Sequence, residues 1–424
     1  MTPIRPSPPP PPDSVSELAL FGGPPAKTKP FPDWPVHDER ERAALLEVLD
    51  SGVWWRTPGT RVAAFEQAFA ELHEARHGIA ITNGTHALEV AVAALGIGPG
   101  DEVLVPDSTF VATAGAVLSV GALPVLVDVK AGSGCLDPEL AASAIGPGTV
   151  AMIVVHMGGH PADLDALAGL AESRGIALIE DCAHAHASRW RDRPVGTHGA
   201  LGTFSFQMSK LLTCGEGGIV ITDDDDLARR LRSVHDCGRR EGEWFYAHFE
   251  YGSNFRMSEW QGAVLSAQLE RLDEQTRLRH ANGIVLDELL GAIEGVTPQP
   301  LDPRCTRNSH YAHISHIDPE AFAGVGRDRL VEALAAEGIP NQAAYPPLHE
   351  LDLFTSGAYR RRLAPPAAEA RHAFLEGAFP ESVRAGRETF WVPQTALLGD
   401  ELDMEEIAAA FEKVRSHADE LEGP

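Results

Sequence analysis

The chain has 424 residues, enough for two or more domains or for one large domain with an appendage. Its formal charge of −26 argues against nucleic acid and acidic membrane surfaces as partners. The apolar share of 44% is ordinary for a globular protein, and no apolar run approaches the roughly 18 residues of a membrane span.

Residues 1–15 are rich in proline and lack a hydrophobic segment. They read as an extended, solvated tail and not as a secretory signal. Cysteines occur at Cys135, Cys182, Cys214, Cys237 and Cys305. An odd number with no Cys-x-x-Cys is most simply read as a reducing cytoplasm.

From His77 onward, short apolar runs alternate with helical patterns. Strands are expected at 77–83, 102–106, 123–128, 150–156 and 176–179. Helices are expected at 84–95, 110–120 and 162–174. Fully apolar strands alternating with helices predict an α/β fold with a parallel sheet covered on both faces. Two further strands, 203–206 and 218–222, flank a lysine. The run Asp223–Asp226 reads as a solvated helix start. A long helix over 258–290 is expected to bridge a large unit (16–275) and a smaller C-terminal one (276–424).

Two residues carry the most chemistry. Asp181 ends the apolar run Ile176–Ile179, where a carboxylate needs a cationic partner. Lys210 stands alone among apolar and small residues, followed by Gly215-Glu-Gly-Gly218. Both groups are costly to bury unpaired. Pyridoxal 5′-phosphate (PLP) explains both, with the lysine as its Schiff-base partner and the acid holding the pyridine nitrogen protonated.

Other candidates gain meaning from that pair. Asn83-Gly84-Thr85 lies between a strand and a helix, as a phosphate cup or as an ordinary capped turn. Phe110 follows the next strand, where a ring stacks on a heterocycle or simply opens a helix in the core. Ser205 offers a hydroxyl to phosphate, and Gln207 falls on its face. His184 is placed at the cofactor edge and His186 in packing. Cys182, His184 and His186 lack third and fourth metal ligands at familiar spacings, so no metal is expected. Asn254 suits phosphate or lysine but is unspecific in chemistry alone.

Taken in order along the chain, several segments resemble the DegT/DnrJ/EryC1/StrS family of PLP-dependent aminotransferases. They include Thr82–Leu88, Gly98–Val103, Glu180–Ala185, Phe204–Lys210, Gly215–Gly218 and Asn254–Glu259. The resemblance implies PLP fold type I, with a large mostly parallel-sheet domain and a smaller C-terminal α+β domain. It implies Lys210 as the Schiff-base lysine and Asp181 as the pyridine partner. Gly84, Thr85 and Ser205 would hold phosphate, and Phe110 would stack on the ring. Asn254 matches a position that reaches the neighbouring subunit's phosphate, which implies a homodimer with shared sites. The family pattern usually has glutamine where His184 stands, so the contact at the cofactor oxygen stays open.

Two branches are most similar: glutamine-dependent aminotransferases of keto-inositols, and enzymes like 3-amino-5-hydroxybenzoate synthase. The expected activity is therefore amino transfer from L-glutamine or L-glutamate to a ketone on a cyclitol, sugar or shikimate-like ring, in antibiotic biosynthesis. One alternative is dehydration and aromatisation to an aminobenzoate. Another is a non-catalytic PLP-binding sensor. Trp54, Trp55, His310, Tyr311 and Tyr345 are the expected substrate walls.

Overall fold

A computed structural model describes residues 16–363 and 378–421; the proline-rich stretch 1–15 lies outside the described residues. The first five strands are β1 (His77–Ile81), β2 (Glu102–Pro106), β3 (Leu123–Val127), β4 (Thr149–Val155) and β5 (Ala177–Asp181). Two short strands, β6 (Arg189–Trp190) and β7 (Arg193–Pro194), precede β8 (Leu201–Ser205) and β9 (Gly218–Thr222). The large sheet has seven strands in the order β1-β9-β8-β5-β4-β2-β3.

This sheet is mixed. Strands β8, β5, β4, β2 and β3 run parallel, while β9 pairs antiparallel with both β8 and β1. The sheet is thus mostly parallel, as expected, with β9 as the exception: it follows β8 in the chain and returns beside it in the opposite sense. The connection between the two carries Lys210.

The helices are α1 (Glu39–Ser51), α2 (Arg61–Leu72), α3 (Gly84–Ala94), α4 (Ala112–Ser119), α5 (Pro138–Ala144), α6 (Leu164–Arg174), α7 (Asp225–His235) and α8 (Glu259–Gly291). Asp224 caps α7 by accepting from Asp226 and Leu227, so the acidic run is a solvated helix start. Helix α4 begins two residues after Phe110, which is left 53% exposed instead of entering the core. The 33-residue α8 runs unbroken through position 275. Its first residue, Glu259, is buried and accepts from the amides of Arg61 (2.7 Å) and Val62 (3.1 Å). It thus caps α2, whose own Thr60 makes no side-chain cap.

Beyond α8, a four-stranded antiparallel sheet forms from β10 (Val296–Pro298), β12 (Ala312–Ile317), β13 (Gln342–Ala343) and β14 (Thr389–Pro393). Strand β11 (Cys305–Arg307) instead pairs with β6. Helices α9 (Arg327–Ala336), α10 (Asp352–Thr355), α11 (Pro380–Glu388) and α12 (Glu401–Ser416) complete this half.

One hydrophobic cluster fills the large sheet, with Phe65, Phe69, Phe204 and Phe206 in edge-to-face contact. A second cluster joins α9, α12 and the smaller sheet, and Leu18 is part of it. Buried Glu337 accepts from the amides of Ala19 and Ala26, both at 2.8 Å. The N-terminal stretch 18–26 therefore packs on the C-terminal half, although the sequence places it with the large unit.

Glu180 supports the strand end that carries Asp181. It is fully buried and accepts from the amides of Gly196, His198 and Gly199, each at 2.7 Å, and from His156 Nε2 at 3.2 Å. Burial alone would raise its carboxyl, but His156 and the amides hold it below the usual range. His156, Glu180 and Cys182 lie close enough to share a metal ion. Their polar atoms are already engaged, since His156 Nδ1 accepts from Ala162 and Cys182 donates to the Glu180 carbonyl. Glu180→Ala leaves three amides without acceptors and should lower stability by about 3–5 kcal/mol, read as a shifted denaturant midpoint. An unchanged midpoint would show that this network contributes nothing.

Candidate active site

Strand ends β1, β2, β5 and β8 converge on one cavity of about 610 Å³. In open α/β sheets ligands gather at the carboxyl ends of parallel strands. At the end of β1, Asn83 turns out of the strand and caps α3 by accepting from His86 at 2.8 Å. The amides of Gly84 and Thr85 are first-turn groups with no intrahelical acceptor. Gly84 has no room for a side chain: a Cβ there would stand 2.5 Å from that of Ser205. Gly218 is equally tight, with the carbonyl of Asn83 2.5 Å from its ideal Cβ. Two free amides and the hydroxyls of Thr85 and Ser205 thus line one corner of the cavity. That donor set fits a phosphate at a helix N-terminus.

Asp181 ends β5 and is buried. It accepts from Thr113 Oγ1 and from the Ala183 amide, each at 3.1 Å. Burial pushes its carboxyl up, against the pull of these donors and of Lys210. Burial also pushes the Lys210 amine down to about 8, partly offset by Asp181. Lys210 Nζ stands 4.3 Å from the centre of the Tyr311 ring. Both groups line the same cavity, and no hydrogen bond or ion pair of the described residues joins them. The expected cationic partner of Asp181 is therefore not the lysine itself. Its donors are neutral, and a protonated ring nitrogen is the cation that fits.

His184 is buried beside this pair. Its ring stacks on Tyr311 at 4.1 Å and 16°, and its Nε2 is 3.4 Å from Tyr345 Oη. Burial holds it neutral, well below the usual histidine range. Its Nδ1 has no partner, so it is available to a ligand. Phe110 and Tyr345 pack against each other on the cavity wall, with ring centres 5.8 Å apart and tilted by 48°. His186 contacts the carbonyl of Ser205 at 2.8 Å and holds the strand end. Gln207 lines the cavity and accepts from Ser209.

Four expected residues do not line this chain's cavity. His310 is buried against Gly283 of α8, while its neighbour Tyr311 faces inward. His310 has a φ of 47°, in the left-handed region, so the backbone turns there and carries its ring to α8 just before β12 begins. Trp54 packs on Trp260 and is 52% exposed; Trp55 packs on Phe245 and is 42% exposed. Asn254 is exposed and bridges to Asp236. Sequence reasoning missed Thr113, the hydroxyl on Asp181. Its signal is the i, i+4 pair with Thr109, whose hydroxyl lies 3.1 Å away.

This fold and this site are those of a fold type I, PLP-dependent aminotransferase. Residues 35–376 match the profile of the DegT/DnrJ/EryC1/StrS aminotransferase family, and the chain belongs to that family. It is 42% identical to an L-glutamine:2-deoxy-scyllo-inosose aminotransferase of Micromonospora echinospora, over 96% of this chain and 99% of the relative. It is 44% identical to a 3-amino-5-hydroxybenzoate synthase of Amycolatopsis mediterranei, over 77% and 84% of the two chains. The crystal structure of a 3-amino-5-hydroxybenzoic acid synthase superposes with a TM-score of 0.84 at 38% identity, covering 92% of this chain and all of the other.

The depressed Lys210 amine makes a testable prediction. Only the free amine attacks the cofactor's aldehyde, and its population rises with pH through about 8. Capture of added PLP by cofactor-free protein should therefore quicken up to about pH 8–9 and then level. An ordinary lysine would keep gaining toward about pH 10.4. Stopped-flow absorbance reads the rate, and borohydride reduction with peptide mapping should place the label on Lys210. Label on another lysine would end the assignment.

Proposed function

We propose that this enzyme moves an amino group from L-glutamine, or L-glutamate, to a ring ketone of a cyclitol. The carrying observation is Asp181 and Lys210 facing one cavity without touching. The similarity to a glutamine-dependent keto-inositol enzyme along nearly the whole chain supports the choice of substrates. PLP, when bound, supplies the electron sink for the donor's α-carbon. Gly84, Thr85 and Ser205 would hold its phosphate, Asp181 its ring nitrogen, Phe110 its face and His184 its edge. Lys210 Nζ takes the proton from the donor's Cα and returns one to the carbon that was the ketone. An amine near neutral titration suits a group that both accepts and gives a proton. Transfer should be ping-pong, because one cavity serves donor and acceptor in turn.

The relative that makes 3-amino-5-hydroxybenzoate favours a second reading, in which Lys210 removes a ring proton and water leaves. Incubation with L-glutamine and a panel of cyclic ketones, including 2-deoxy-scyllo-inosose, separates the two by mass spectrometry. An amino-cyclitol is the expected product. A dehydrated aromatic amine from a shikimate-type ketone, with no amino-cyclitol, would replace the first reading by the second.

The same reading includes a homodimer with shared sites. Asn254, Trp54 and Trp55 lie outside this chain's own cavity, and Trp55 packs on exposed Phe245. They are assigned to the partner's site, as the family position of Asn254 implies. The five cysteines are unpaired, which supports a reducing cytoplasm. Among the described residues no helix is long and apolar enough to cross a membrane. The reading keeps a large unit up to about residue 275 and a smaller one beyond it, although the cluster of the large sheet also takes in Cys305, Ile314, Leu348 and Trp391, and Leu18 joins the cluster of the smaller.

Mixing an Asn254→Ala variant with a Lys210→Ala variant tests the shared site. A hybrid dimer keeps one intact site only if Asn254 acts across the interface. Activity should recover to about a quarter of the parent in an equal mixture, where half the dimers are hybrids with one good site of two. No recovery in a hybrid shown to have formed would place Asn254 in its own subunit's site.

A further inference from the structure

Tyr345 reaches the cavity from a stretch that the smaller sheet cannot hold. The ladder between β13 and β14 ends with the amide of Ala344 on Thr389 at 3.4 Å. Pro346 and Pro347 follow Tyr345 and have no N–H to donate. The first amides able to anchor the chain beyond them are those of Leu348 and His349. Both go to one residue, Asp107. Its carbonyl accepts from Leu348 at 2.8 Å, and its carboxylate accepts from the His349 amide at 3.0 Å. The same carboxylate accepts from His349 Nδ1 at 2.7 Å. Asp107 is fully buried, and the ring of Phe379 stacks on that of His349 at 4.7 Å and 27°.

Both ends of this join lead to the cavity within four residues. Asp107 follows β2 and precedes Thr109 and Phe110, while His349 follows Tyr345. The join therefore ties one aromatic ring of the cavity wall to the other. From the end of β2, the buried Asp107 caps the short 3-10 turn Leu348–Glu350, whose own N-cap Pro347 supplies no side-chain cap, and so ties a distant segment to the strand.

We propose that Asp107 and His349 are a positioning pair that fixes Tyr345 against Phe110 and so sets where this aromatic wall stands for the ring substrate. Neither residue lines the cavity. The proposal rests on the aminotransferase reading above for its substrates. A bulky ring acceptor rests against that wall, whereas a linear amino donor depends on it less.

The test compares three substitutions. His349→Ala removes the ring, His349→Phe keeps the stack on Phe379 but loses the donor, and His349→Asn returns an amide N–H near the place of Nδ1. In the Ala and Phe variants KM for the cyclic ketone should rise about tenfold, because a displaced wall misplaces the acceptor. The half-reaction with L-glutamine, followed by cofactor absorbance, should stay within about twofold of the parent, and His349→Asn should rescue the ketone KM to within about threefold. Equal losses for donor and ketone, or an Asn variant as poor as Ala, would overturn the proposal. If His349→Ala does not fold, the Phe and Asn variants carry the comparison.

Hydrogen–deuterium exchange supplies a readout that needs no substrate. Peptides covering 344–351 should exchange faster in the Ala and Phe variants and at the parent rate in Asn. No acceleration would overturn the proposal. If the parent aminates no ketone at all, the functional reading fails, and exchange alone still decides the strut.

Discussion

Asp181 is a buried carboxylate with neutral donors and no cation of its own, and the site is arranged around that deficit. Thr113 and the Ala183 amide supply two hydrogen bonds, which orient the carboxylate without neutralising it. In a desolvated setting an uncompensated charge costs several kcal/mol. The same desolvation depresses Lys210. One physical cause thus acts on both residues in opposite directions. It makes the acid eager for a cation and the lysine ready to lose a proton. A cofactor that is a protonated ring at one end and an aldehyde at the other relieves both.

The sheet explains how residues far apart in sequence arrive together. Parallel strands deliver their carboxyl ends to one edge, so Asn83, Asp107 and Asp181 appear there with Ser205. The antiparallel β9 then closes the arrangement. It returns beside β1, and its first residue, Gly218, packs against the Asn83 turn. The connection from β8 to β9 therefore lies over the cavity, and Lys210 lies in that connection. Gly84 and Gly218 are the two places where this closure leaves no space for a Cβ.

What the sequence discloses divides along a physical line. Strand and helix positions were legible because burial writes a period into adjacent residues. Asp181, Gly84, Thr85 and Ser205 were legible as cavity residues because each sits at the end of such an element, and Lys210 because it stands in a short contiguous motif just after one. The direction of β9 was not, since Gly218–Thr222 is an apolar run that reads alike in either sense. Nor was the choice between His310 and Tyr311, because register in an irregular segment is set by what it packs against. Thr113 on Asp181, Glu259 on α2 and Asp107 on His349 are pairings between distant segments, which leave no local mark. Leu18 joined the C-terminal cluster for the same reason: a short segment has no pattern that names its partner.

The cavity also argues for a second chain on chemical grounds. Among the described residues lining it, Lys210 is the one lysine, and no arginine is present. An amino-acid donor brings a carboxylate, and burying that carboxylate requires a cation or several strong donors. Lys210 cannot serve, because its amine must be free to move the proton. The helix N-terminus at Gly84 is taken by phosphate on the proposed reading. On that reading the missing charge is assigned to a residue from outside this chain's wall. Arg256 stands two residues from Asn254, with its guanidinium shared between Asp236 and the Trp55 ring. The segment assigned to the neighbour's phosphate thus also carries a guanidinium and an aromatic surface. That charge count, drawn from one chain alone, is a second support for the proposed site shared between two subunits.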